Sequence, residues 1–405
     1  MKALFMLSMV ILMCLPEPVL GQKQKDFTET PKTKWKIKSG PIFGSPLINN
    51  GTVFYASQDS ALHAIDLQKG IEKWKFNFHA ASRSTPFIDK DNLYILSEAG
   101  LLYNINKNSG KLIWQFATHQ GGFLGERKYD RADYFQSSPI AHNDKVYFGM
   151  GDFLFAVNAT TGALSWSFKT GNLVHTKPAI SNDKIIFGSY DGNVYALHNQ
   201  TGALVWKFKT VGQRYFPAGE VMGNPVVSRN QVFIGSRDYN FYAIEANTGY
   251  CHWNKQFPQG WALSATMLKD SVLYLGTSDD YVMIALDPRF GNEFWRAELK
   301  YNIFGSMALS ESMGYVGTLM GKLFGIDLKS GAIKWVFEGD GYKSNKKKYF
   351  THEDKHPENV LAKFDNFDEV LKMYRELGGI FSTPAITADH IVFTGADGFV
   401  YCIGR

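Results

Sequence analysis

Tryptophan spacing constrains this chain more than any other feature. Eight of the nine tryptophans form one series: Trp35, Trp74, Trp114, Trp166, Trp206, Trp253, Trp295 and Trp335. Successive gaps are 39, 40, 52, 40, 47, 42 and 40 residues, and Trp261 alone stands outside the series. A period near 40 marks a propeller or a solenoid. Around the last seven members the local sequence is nearly fixed, as in AVNATTGALSW (156–166) and ALHNQTGALVW (196–206). A glycine stands four residues before each of those seven: Gly70, Gly110, Gly162, Gly202, Gly249, Gly291 and Gly331. A polar residue stands eight before, from Asp66 to Asp327. Polar residue and glycine bracket a tight turn, in which the glycine supplies a positive φ. The tryptophan falls on the next strand, where it can pack between neighbouring sheets.

Each repeat contains four strand candidates. In 173–210 they are KPAIS, KIIFGS, NVYALH and LVWKFKT, separated by ND, YDG and NQTG. They are short, rich in β-branched and aromatic residues and bounded by turn residues, with no helical period. Four-stranded units at this spacing are propeller blades. Seven complete units span residues 40–340, and an eighth runs from 381 to Arg405 without its outer strand. Residues 33–38 supply the missing strand. The expected fold is therefore all-β, an eight-bladed β-propeller closed by the N-terminal strand, which leaves the ring no open end.

Upstream, Lys2 precedes an apolar run from Ala3 to Leu15, and polar sequence starts near Gln22. This is a signal-peptide pattern over 1–21, cleaved after Gly21, with a run too short to span a membrane comfortably. Cys14 would suggest lipid anchoring, but Met13 stands before it where a small residue is expected. The expected mature chain is one domain over 22–405, secreted or periplasmic and monomeric, without a transmembrane segment. Its two thiols, Cys251 and Cys402, cannot form a disulfide scaffold. A formal charge of +5, spread along the chain, excludes a dedicated nucleic-acid binder.

The alanine–x–Asp/Asn–x–x–Thr–Gly–x–x–x–Trp signature, matched best at 156–166 and 196–206, resembles the PQQ-like, or quinoprotein-type, β-propeller repeat family. The resemblance covers residues 33–405. Size and exported start resemble its BamB-like branch, scaffolds of outer-membrane β-barrel assembly. That resemblance implies a non-enzymatic, eight-bladed protein without a quinone cofactor. It also implies a lipoprotein, against which Met13 counts.

Alternating strand direction puts the turns between the second and third strands on the same face as the blade-to-blade connectors. Three connectors are enlarged: 118–134, 210–222 and 340–379. They rise from one face, the expected binding surface. Its mouth is ringed by residues just before the inner strands. Arg83, His175 and Lys177 would favour an anionic or carbonyl-rich ligand, and Phe43, Phe304, Phe381 and Trp261 offer apolar anchors. Within 340–379 the run Lys343, Lys346–Lys348 reads as a solvated loop, and FDNFDEVLKMYRELGG as a helix ended by Gly378.

Residues 352–356, HEDKH, match a zinc-protease pattern, with His352, His356 and Glu376 as ligand candidates. Pro357 argues against one continuous helix there, so no metal is expected. No adjacent cysteine pair exists for a quinone enzyme, and no cofactor is expected. The reading is a non-catalytic exported scaffold that holds another envelope or extracellular protein, or an anionic ligand, on its connector face. The alternative is a propeller enzyme at the same mouth: a quinone-dependent dehydrogenase, or a metal-dependent hydrolase or lyase.

Overall fold

The computed structural model describes residues 25–118, 136–264, 267–269, 272–351, 354–355 and 367–405. The expected leader, Cys14, most of the connector 118–134, and His352 and His356 lie outside them.

Among the described residues the strands form eight four-stranded antiparallel sheets. Blades one to seven are β2–β5 (47–77), β6–β9 (87–117), β10–β13 (140–169), β14–β17 (179–209), β18–β21 (226–256), β22–β25 (267–298) and β26–β29 (308–338). The eighth joins β30–β32 (385–404) to β1 (Lys32–Lys38) in the order β1-β32-β31-β30. Trp35 pairs with Cys402 and Lys38 with Phe399 across that closure.

The repeated signature is a blade-to-blade rivet. Asn158 Oδ1 accepts the backbone N–H groups of Thr160 (3.0 Å) and Thr161 (2.9 Å), which closes the turn. Gly162 follows at φ +73, and a Cβ there would stand 2.7 Å from Cε3 of Trp114 in the preceding blade. The same indole donates to Ala159 O at 3.1 Å. Trp35, Trp74, Trp166, Trp206, Trp253 and Trp295 make the equivalent bond to the next blade's turn, at 2.7 to 3.1 Å. The glycine thus serves both the positive φ and the close approach of the ring.

The signature alanine has a related cause. It lies opposite the tryptophan on the neighbouring strand, as in Ala156–Trp166 and Ala196–Trp206, next to a β-bulge. A small residue stands there in every blade except the second, where Asn104 faces Trp114. Gly325 and Cys402 occupy the same position opposite Trp335 and Trp35. Cys402 is accordingly a small buried core residue, its thiol pushed up to about 12 by burial. Cys251 is half-buried, and both thiols are free.

Trp335 has no such turn to meet, because blade eight takes its outer strand from β1 and no hairpin joins that strand to β32. Phe27 stands in. It is buried, accepts the Trp335 indole N–H at 2.6 Å and donates its own N–H to Tyr315 Oη at 2.9 Å. Asp26 accepts from Ser310 Oγ (2.5 Å) and Ser312 N (2.9 Å), and its own carbonyl accepts from Arg405 at 2.7 Å.

Candidate functional site: the connector face

The two faces of the ring differ. On one, the turns between first and second strands and between third and fourth strands are short throughout the described residues. The other carries the blade-to-blade connectors. The connector after blade seven folds into two helices, α1 (Asp340–Tyr349) and α2 (Phe367–Leu377). The basic run is therefore helical, not a loop. Asp340 in its first turn and Lys346, Lys347 and Lys348 in its last suit the helix dipole, a signal already present in the sequence. α2 ends at Gly378, φ +71, as its composition suggests.

Both helices are anchored in the ring. Tyr342, Tyr349, Met373 and Leu377 are buried in one cluster with Phe43, Met222, Leu263, Phe304 and Phe381 around the channel mouth. Glu376 ties the helices together, accepting from Tyr349 Oη at 2.6 Å and Lys348 Nζ at 2.5 Å, while Asn345 Nδ2 donates to the Glu376 carbonyl at 2.8 Å. Glu376 is thus engaged by cations and a phenol rather than poised as a metal ligand. Among the described residues no three His, Cys, Asp or Glu side chains cluster to hold a metal.

The channel itself is narrow. A cavity of about 80 Å³ is lined by Phe43, Arg83, Gln136, His175, Phe304 and Phe381, with Ser45, Thr85, Ser138, Asn224, Ser306 and Thr383 one step deeper. The deeper set also links blades. Thr85 Oγ1 accepts from Ser45 N (3.0 Å), Ser138 Oγ from Thr85 N (2.9 Å), Thr383 Oγ1 from Ser306 N (2.9 Å) and Ser45 Oγ from Thr383 N (2.9 Å). Asn224 does the same for Lys177 N at 2.7 Å.

The structure brings most of the sequence-selected ring together but alters its character. Phe43, Phe304 and Phe381 are buried and meet edge to face, at 5.1 Å for Phe43–Phe381 and 5.6 Å for Phe304–Phe381. They wall the channel rather than offer open anchors. Arg83 is buried beside Glu98, Nε 2.9 Å from Oε1, and its guanidinium stacks on Phe43. Burial raises the Glu98 carboxyl, and a bond from Gln58 partly offsets it. His175 is buried against Tyr190 at 4.9 Å. Lys177 has its ammonium 5.8 Å from the Phe87 ring, and desolvation lowers its pKa. Trp261 lies off the axis, with the Arg237 guanidinium 4.3 Å over its ring and Phe216 edge-on at 5.2 Å.

The quinone that the repeat's enzymes carry does not fit these residues. Pockets for such ligands run to about 300–1,000 Å³, whereas this cavity is about 80 Å³ and three phenylalanine edges close it. The face of Trp261 is already taken by Arg237. Cys251 and Cys402 sit in separate blades.

Sequence reading missed the Glu98 partner of Arg83, the hydroxyl belt and the burial of α1, whereas the apolar stripe with Val370, Leu371 and Tyr374 already implied that the second helix packs on the propeller face. The belt depends on contacts between blades, and the Arg83–Glu98 pair on a connector meeting a turn of the same blade, neither of which the repeat pattern displays.

A family model described as outer membrane protein assembly factor BamB matches residues 130–219 and 191–338, together more than half of the chain. The BamB of Moranella endobia is 26% identical over 148 residues, which is 35% of this chain and 38% of that protein. Tetrathionate hydrolase of Acidithiobacillus ferrooxidans is 25% identical over 168 residues, 34% of this chain and 31% of that one. The chain thus spans well under half the length of these relatives. In structure, BamB from Moraxella catarrhalis superposes with a TM-score of 0.68 at 15% identity, covering 93% of this chain and all of that one. A quinohemoprotein alcohol dehydrogenase of Pseudomonas putida HK5 gives 0.68 at 12% identity, covering 92% of this chain and 76% of that one. At these identities the superpositions show the eight-bladed fold alone.

Proposed function

The chain belongs to the family of the outer membrane protein assembly factor BamB, and from that premise we propose that it is a docking scaffold of the cell envelope. Its connector face holds a protein partner in outer-membrane protein assembly. One observation carries this reading: the two faces of a nearly regular ring are built unequally. The opposite face is trimmed to short turns, while the connector face carries two helices seated in the mouth and the exposed Val211 and Tyr215 of the 210–222 connector. Function on rigid scaffolds concentrates in such segments. A leader over 1–21 would deliver the chain to the envelope. No helix among the described residues is long and apolar enough to cross a membrane.

The test is co-purification from the native envelope. Shortening 340–379 would uncover the buried cluster, so surface changes are the cleaner probe. Tyr215→Asp with Lys372→Glu is expected to lose the partner. Lys69→Glu with Thr160→Glu, on the opposite face, is expected to keep it. Equal retention by both would contradict the proposal.

The matches to tetrathionate hydrolase and the quinohemoprotein favour a second reading, catalysis at the mouth. Metal analysis and a near-UV and visible spectrum of protein purified without chelator separate the two. Stoichiometric metal or a quinone absorbance would overturn the scaffold.

A further inference from the structure

On the connector face, beside the channel, the turns of blades five and six and four connectors bring six aromatic rings around one carboxylate. Asp279 is exposed in the turn between β23 (Val272–Gly276) and β24 (Val282–Leu286). Its oxygens accept from Ser278 Oγ (2.7 Å) and Asn302 Nδ2 (3.1 Å). Both donors are neutral. No lysine or arginine of the described residues pairs with it.

These two hydrogen bonds tie Asp279 to aromatic walls on both sides. Ser278 Oγ also accepts the backbone N–H of Trp261 at 2.8 Å, and the Trp261 ring meets Phe216, which in turn meets Tyr239 at 6.1 Å. Asn302 follows Tyr301, which stacks on Tyr281 at 6.0 Å and meets Tyr374 of α2 edge-on at 6.1 Å. Tyr281 is exposed, and Tyr239 and Tyr374 are half-buried, so these three stay open to a ligand, while Tyr301 is buried behind them and the Trp261 face is covered by Arg237. The carboxylate is felt across the group. Desolvation, and then the charge of Asp279, raises the phenols of Tyr239, Tyr281 and Tyr374. Nearby, Arg237 lies 4.5 Å over Phe216 and 4.3 Å over Trp261, so the protein already uses these rings to hold a cation.

An unpaired carboxylate among ring faces complements a cation through charge and through the ring quadrupoles. Aromatic residues and arginine are also the groups that dominate protein interfaces. We propose that Asp279, with Tyr239, Tyr281 and Tyr374, forms a seat for an arginine or lysine side chain of the docked partner, backed by the buried Tyr301 and next to the Trp261 ring that Arg237 covers. This rests on the docking reading above and specifies its chemistry.

The probe is a blocked Gly-Arg-Gly peptide, with Gly-Glu-Gly as counterpart. It is titrated into the mature protein while indole N–H signals are followed by NMR, the Trp261 signal being assigned with Trp261→Phe. The arginine peptide is expected to shift that signal saturably. Asp279→Asn should weaken binding at least tenfold and Tyr281→Ala at least threefold, with the other indole signals unmoved as a check on folding. No saturable shift, an equal response to the glutamate peptide, or an unchanged affinity in Asp279→Asn would overturn the seat. If the partner docks on this face while Asp279→Asn binds it as wild type does, the seat fails and the docking reading stands. If the peptide binds as expected but no partner is captured through this face, the seat stands without the docking reading.

Discussion

At the residue scale, the turn glycines and the tryptophans facing them are one structural unit. Gly202, φ +73, would place a Cβ 2.7 Å from the Trp166 ring, whose N–H reaches Asn199 O at 3.0 Å. Gly202→Ala therefore combines a left-handed backbone penalty with displacement of a rivet. The expected cost is about 2 kcal/mol, seen as a lower denaturant midpoint at unchanged m-value. Asp397 gives a pH signature. Burial, with a smaller contribution from the charge of Asp340, raises its carboxyl from 3.8 to about 6. The folded state then holds a proton that the unfolded chain releases. Stability contributed by the neutral acid is full below about pH 4 and lost as pH rises toward 6. Asp397→Asn is expected to flatten that slope and raise the midpoint above pH 6. An unchanged profile would remove Asp397 from the account.

At the element scale, the N-terminal segment does more than add a strand. Phe27 replaces the turn that Trp335 would otherwise meet. Phe27→Ala is expected to cost about 3 kcal/mol through the cavity it leaves, with a red shift of Trp335 emission. A loss no larger than that of an exposed substitution would contradict the role. The repeat made blades, turns and ring closure legible in the sequence, because each is written seven or eight times in a local pattern. The Phe27 contact was not legible: it occurs once, 308 residues from its partner. Helix α1 was half-legible. Its charges suit a helix, but its low apolar content masks the burial of Tyr342 and Tyr349.

For the whole molecule, the sequence singled out the face proposed for docking but not its chemistry. Connector lengths named the face, and alignment of the repeats named the mouth ring. The ring's availability depends on neighbours outside it: Glu98, in a turn of blade two, holds Arg83, and the helices help bury the phenylalanines. On the docking proposal, a partner would meet the outer rim of this face, where Tyr215, Tyr281 and Lys372 are exposed, rather than the channel. The most direct measurement is a photo-cross-linking scan in the native envelope. A photoreactive residue is placed singly at positions 215, 281 and 372 on the connector face and at 69, 160 and 200 on the other. The account predicts a common protein adduct from the first three positions and none from the second. Adducts from the opposite face alone, or from neither face, would contradict it.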